Sequence, residues 1–245
     1  IKTKNLLKQD LKEVITVKTI PIKGTIVSND DKWIYDWFGI EAVCPKDVGK
    51  QLSEANGEDI TVEINSGGGD VFAGNEIYYL LSQYKGNMII DIVGFAGSAA
   101  SIIAMAGKSR IVPSGLMMIH NVSGSARGDY HVMDRTSDVL KTANKAISNA
   151  YINKTGMSQE QLLALMDEEK WMDAKEAVEL GFVDEIINDG GKIANPTPKT
   201  LYNSMFVNIL SPEVIEKIRN TVKNPNGIQD NADSDFLIQK LKSQL

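Results

Sequence analysis

The stretch ITVEINSGGGDVFAGNEIYYLLSQY, residues 60–84, carries three signals in succession. Four of its first five residues are β-branched, which predicts a strand. Residues 65–70 form a glycine-rich segment read as a tight turn, and the remainder has the apolar spacing and length of a helix. The same succession returns at once: MIIDIVG (88–94) reads as a buried strand, FAGS (95–98) as a loop and AASIIAMAG (99–107) as a buried apolar helix. Two consecutive strand–loop–helix units predict an α/β fold with a largely parallel sheet and helical crossovers.

Further out, VITVKTIPIKGTIV (14–27) has strand character broken by Pro21 and Gly24, and short strands are expected at 110–112 and 116–120. Residues 129–155 contain neither proline nor glycine, and Met133, Thr136, Leu140, Ala143, Ile147 and Ala150 recur at spacings of three and four. That stripe predicts one long helix with a covered face. Its cover is either a second subunit or the chain's own core. A helix over 158 to about 168 opens on a near capping box at Ser158 and Gln161. AKEAVELGFVDEII (174–187) predicts a short helix stopped by Gly181 and then a strand.

Beyond Asn188 the segments DGGKIANPTPKT and KNPNGIQDNADSD have the composition of linkers. The chain therefore divides into an N-terminal segment (1–19), a core (20–188) and a C-terminal extension (189–245). Two helices are expected in the extension, at 212–222 behind Ser211 and Pro212, and at 236–245.

Hydrophobic residues at 42% and charged residues at 24% suit a sizeable buried core. A net charge of −6 disfavours nucleic acid, whose binding needs clustered Lys and Arg. No apolar run approaches the roughly 18–20 residues that cross a bilayer, and IKTKNLLKQDLKEV (1–14) is too charged for a signal peptide. A cytoplasmic protein without membrane contact is expected. The single cysteine, Cys44, reads as a small buried hydrophobe. No cofactor is expected: the glycines at 67–69 are not followed by a Walker Lys-Ser/Thr, and G-x-G-x-x-G is absent. With two histidines and one cysteine, no metal-ligand set is recognisable.

Scarcity makes the histidines informative. His131 lies in a polar helix and reads as surface; His120 ends the apolar strand LMMIH, where either a core or a functional role is open. Ser98 stands among small residues at the mouth of an apolar helix, where amide donors could stabilise an oxyanion. It is either a nucleophile or a simple N-cap. The loop 67–69 either turns amides toward a reacting carbonyl or is an ordinary turn. Asp167, Glu168 and Glu169 form a helix-end cluster, solvated unless one of them orients a histidine.

Taken together, INSGGGDVFAGNEIYYLL (64–81), GFAGSAASIIAMAG (94–107), SGLMMIHN (114–121) and WMDAKEAVELGFVDEI (171–186) resemble, in order, segments of the Clp protease proteolytic-subunit family. The likeness is greatest to its relatives in tailed phages, the head-maturation or prohead proteases. It implies the ClpP/crotonase-like spiral of β-β-α units, with 129–155 as the handle helix that joins two rings. It implies Ser98 as nucleophile, His120 as general base, and Gly68 with the amide of Ala99 as oxyanion hole. The third triad member falls on Glu169 in an ungapped alignment, with Asp167 as the alternative. Gly67, where the housekeeping subunit usually has proline, and the long extension favour the phage-type branch.

The expected function is thus a serine endopeptidase acting through an acyl-enzyme on polypeptides, assembled as homo-oligomeric rings. Its expected setting is capsid maturation, in the host cytoplasm or inside a procapsid, with capsid or scaffold proteins as partners. The alternatives are a housekeeping ATP-dependent subunit, a crotonase-type acyl-CoA enzyme, and a catalytically silent assembly subunit.

Overall fold

The structure, a computed structural model, describes residues 17–187 and 210–222. Its centre is a sheet built on isoleucine alternation. Strand β1 (Lys18–Ile26) buries Ile20 and Ile22, β3 (Ile60–Gly69) buries Ile60, Val62 and Ile64, and β4 (Met88–Gly97) buries Ile90 and Ile92. Each such side chain contributes roughly 1.5–3 kcal/mol of apolar burial. The two-residue strand β2 (Ala42–Val43) lies outside β1, and β5 (Lys108–Ile111) and β8 (Glu185–Ile186) lie outside β4. The order is β2-β1-β3-β4-β5-β8, parallel throughout. Asp91 and Arg110 are register partners on β4 and β5, and their ion pair is bidentate at 2.7 Å.

Two strands lie off that order. The first half of β4 pairs with β5, whereas its second half, Phe95 to Gly97, pairs in parallel with β6 (Leu116–Ile119). Strand β7 (Lys170–Asp173) then adds to β6 antiparallel, in register Ile119↔Lys170. The sheet is therefore mixed, and mostly parallel.

Helices α2 (Pro45–Ala55) and α3 (Val71–Ser82) pack on this sheet through Val48 and Leu52, and through Ile77 and Leu81. Helix α4 (Ala99–Ala104) is buried along its whole length. Helix α5 (Tyr130–Thr155) runs for 26 residues with buried side chains only at Ser148, Ala150 and Tyr151. Helix α6 (Gln159–Asp167) begins with a complete Ser158–Gln161 capping box, and α7 (Ala174–Glu179) leads into β8.

Helix α8 (Pro212–Val222) returns to the start of the fold. Leu210 and Ile218 join Val27, Cys44 and the residues Ile34, Tyr35 and Phe38 of α1 (Lys32–Phe38) in a second buried cluster. Tyr35 Oη accepts the Leu210 amide at 3.3 Å, and Arg219 pairs with Asp31. The described part of the extension is thus packed, and the helix expected at 236–245 lies outside the described residues, as do residues 1–16.

Several expectations require correction. Pro21 does not break β1, because β2 covers only Thr25 and Ile26 and leaves that strand edge open at Pro21, where proline is tolerated. The interruption is at Gly24 alone, where the register shifts; with φ +72° it packs so tightly that a β-carbon would lie 2.0 Å from the Glu41 carbonyl oxygen. The segment 65–69 is not a turn: β3 continues through the glycines, pairing Gly68 with Thr25 and Gly69 with Ile26. Helices α1 and α2 and strands β2 and β7 were not anticipated.

Candidate active site

Ser98 joins β4 to α4 with φ 52° and ψ −124°, a conformation that costs a non-glycine residue roughly 1–3 kcal/mol. Both of its flanking peptide groups are held. The Ser98 amide donates to the Met118 carbonyl at 2.9 Å, and the Ser98 carbonyl accepts from the Ser101 amide at 3.0 Å and the Ser101 hydroxyl at 2.6 Å. Met118 belongs to β6, and two residues further along the chain, just past the strand's end, is His120. The bond that holds the Ser98 backbone therefore also sets the imidazole beside it. His120 Nε2 lies 2.7 Å from Ser98 Oγ. His131, by contrast, is exposed on α5, its ring tilted against that of Tyr130.

Burial lowers the His120 pKa from its ordinary value, and the negative charge of Glu169 opposes that shift. A neutral imidazole at neutral pH is the form that can accept a proton from a hydroxyl. The nearness of Glu169 follows from the β6–β7 register, because one step beyond Ile119↔Lys170 sets position 120 across from position 169. Glu169 has a left-handed backbone with φ 51°. Its carboxylate accepts the Trp171 indole N–H at 3.2 Å, and that ring stacks on Phe95 with centroids 5.4 Å apart. Asp167 accepts from the Asn121 amide at 2.7 Å. Neither carboxylate is hydrogen bonded to the imidazole, whose charged form the Glu169 carboxylate favours.

Gly68 faces the same point. Its φ is +100°, and a β-carbon there would stand 2.7 Å from Ser98 Cβ and 2.8 Å from the Ala99 nitrogen. The Gly68 amide donates to Ser66 Oγ at 3.1 Å, and Ser66 in turn donates to the Gly24 carbonyl at 2.6 Å. The Ala99 amide, first in α4, has no intrahelical acceptor.

Beside these groups lies a cavity of about 340 Å³ lined by Phe72, Ser98, His120, Leu140, Ile147 and Tyr151, among others. Three of those six side chains come from α5, so the long helix forms the cleft's apolar wall. Sequence reasoning missed the polar supports: Asn144 on α5 accepts the Val122 amide at 2.7 Å and donates to Asn121 at 2.8 Å, fixing the chain just after His120. Only the place of Asn121 directly after His120 could have drawn attention to them. Among the described residues no group of three or more His, Cys, Asp or Glu could hold a metal ion. No described helix is long and apolar enough to cross a membrane.

Comparison with known proteins bears on the same region. The chain is similar to the ATP-dependent Clp protease proteolytic subunit of Bacteroides fragilis, 32% identical over 134 residues, or 54% of this chain and 65% of the relative. It is 30% identical over 134 residues to the subunit of the same name from Bacteroides thetaiotaomicron, covering 54% of this chain and 61% of that one. The chain thus matches less than two thirds of each relative's own length. The Clp protease family model matches residues 47–190, more than half of the chain, from within α2 to beyond β8. On that match, the chain belongs to the Clp protease family.

Proposed function

We propose that this chain is a serine endopeptidase with Ser98 as nucleophile and His120 as general base. The observation that carries the reading is the 2.7 Å contact between His120 Nε2 and Ser98 Oγ at the edge of a cleft. In acylation, His120 takes the Ser98 proton as Oγ bonds to the substrate carbonyl carbon. It then returns that proton to the leaving amine as the C–N bond breaks, and water releases the acyl group by the reverse use of the same base. The oxyanion is held by the amides of Ala99 and Gly68, the latter exchanging Ser66 Oγ for substrate. Glu169 acts as the third member by stabilising the imidazolium, in preference to Asp167, which is engaged by Asn121.

Substrates are extended polypeptides, which suit a cleft bordered by strand backbone. The architecture is read as the β-β-α spiral, with α5 as the handle of homo-oligomeric rings. Tyr130, Met133 and Val139, 69%, 42% and 65% exposed on its outer half, support that reading. Gly67 and the extension favour a capsid-processing role, and the name of the relatives, ATP-dependent Clp protease proteolytic subunits, favours work with an ATPase. Degradation of a folded substrate with and without a Clp ATPase separates the two.

The central test is labelling with a serine-directed fluorophosphonate. The parent protein is expected to label and to cleave peptides, and Ser98→Ala to do neither while keeping its assembly state. Cleavage that persists in Ser98→Ala would reject the mechanism. Assembly without labelling of the parent would favour a silent subunit.

A further inference from the structure

Two hydroxyls behind the cleft are not used by the mechanism above. Ser101 is 0% exposed and Tyr151 1% exposed, and their oxygens lie 2.7 Å apart. The Ser101 hydroxyl has a single proton, and it goes to the Ser98 carbonyl at 2.6 Å. The Tyr151 hydroxyl must therefore donate to Ser101, giving a chain from Tyr151 through Ser101 to the Ser98 carbonyl. Burial raises the Tyr151 pKa, which keeps the proton that this direction requires.

The end of that chain matters because a peptide unit is planar. The Ser98 carbonyl and the Ala99 N–H are opposite ends of one plane, so fixing the carbonyl on the buried side fixes the N–H toward the cleft that Ala99 lines. A carbonyl that accepts strong hydrogen bonds also makes the N–H of its own peptide a better donor. We infer that Ser101 and Tyr151 are positioning residues that aim the Ala99 amide at the oxyanion, tying helix α5 to the reacting centre. The inference rests on the reading of Ser98 as nucleophile.

A purely structural role would leave the two hydroxyls satisfying one another in the core. Tyr151→Phe and Ser101→Ala remove the hydroxyls with the least change of shape, and Tyr151→Phe keeps the edge contact with Phe182 at 5.7 Å. Removing one oxyanion donor outright costs about 10²–10³ in rate, so misaiming one is expected to lower kcat about tenfold with KM unchanged. Inhibition by a peptide boronate, whose tetrahedral adduct uses the oxyanion hole, should weaken by the same factor, with binding of a product peptide unaffected. The double variant should be no worse than Ser101→Ala alone. Melting temperature and assembly state are followed in all variants.

Unchanged kcat and boronate affinity in Tyr151→Phe would overturn the inference, as would additive losses or equal weakening of boronate and product peptide. If Ser101→Ala fails to fold, Tyr151→Phe decides the matter alone. If the parent neither labels with fluorophosphonate nor loses activity as Ser98→Ala, the underlying nucleophile assignment falls, and this inference with it. Labelling of the parent combined with unaffected variants defeats only the positioning role.

Discussion

Gly68 and Ser98 meet at a separation no side chain can enter: a β-carbon on Gly68 would lie 2.7 Å from that of Ser98. The position also has φ +100°, a region that residues with a β-carbon rarely adopt. Gly68→Ala is therefore expected to cost about 1–3 kcal/mol by strain and overpacking. It should also displace the proposed nucleophile and oxyanion donor together. Thermal unfolding measures the first effect; fluorophosphonate labelling of the folded fraction measures the second, and labelling at the parental rate would separate Gly68 from the site.

The His120 environment sets a pH dependence with a definite sign. Burial holds its pKa below the usual 6.5, so the base-competent neutral form persists to lower pH than in a free peptide. Peptidase activity should rise with pH along a limb below about 6.5 and be level above it. Stability follows the same sense. Between the folded pKa and about 6.5 the unfolded chain binds more protons, so stability is full above that window and is lost as pH falls through it. With only two histidines in the chain, NMR titration of the imidazole signals checks both statements.

Glu169 and Asp167 are separable by titration. Glu169 raises the His120 pKa against the effect of burial, so Glu169→Gln should move the acid limb to still lower pH and reduce kcat. Asp167→Asn should leave that limb in place. Asp167 supports Asn121, and losing the charge on this exposed bond should cost about 1 kcal/mol or less in unfolding free energy. A shift of the limb in Asp167→Asn and none in Glu169→Gln would reverse the assignment.

Helix α8 docks on α1 through a cluster distinct from the main core. Ile218→Ala is expected to weaken that docking by about 2–5 kcal/mol, seen as faster hydrogen exchange over 210–222. The Ser98 site should label at its parental rate, because none of the cleft-lining residues belongs to this cluster.

The strand–helix units around β3 and β4 were legible because isoleucine alternation is a local signal. The Ser158–Gln161 box was legible for the same reason. Strand β3 could not be followed past Ile64, since glycines are poor strand formers and only pairing with β1 holds them extended. Helix α2 had a signal that went unread, with Pro45 at its first position and Val48, Leu52 and Ala55 along one face. Ser98 and His120 were singled out by residue type and setting, and the family resemblance joined them. Asp167, Glu168 and Glu169 stood out as an acidic cluster, but the choice of Glu169 among them came from that resemblance, because the four-residue strand KWMD that follows has no periodicity to read. Ser101 and Tyr151 left no trace in the sequence, since their meeting depends on how α5 crosses α4.

The antiparallel seam between β6 and β7 also orders events in time. A chain emerging from the ribosome N-terminus first has made Ser98 and His120 well before residues 170–173 exist to dock along β6. Until then the imidazole has no carboxylate opposite, and the strand that carries it lacks one neighbour. On the proposed reading of Ser98 and His120, the site is complete only once residues 170–173 have docked along β6.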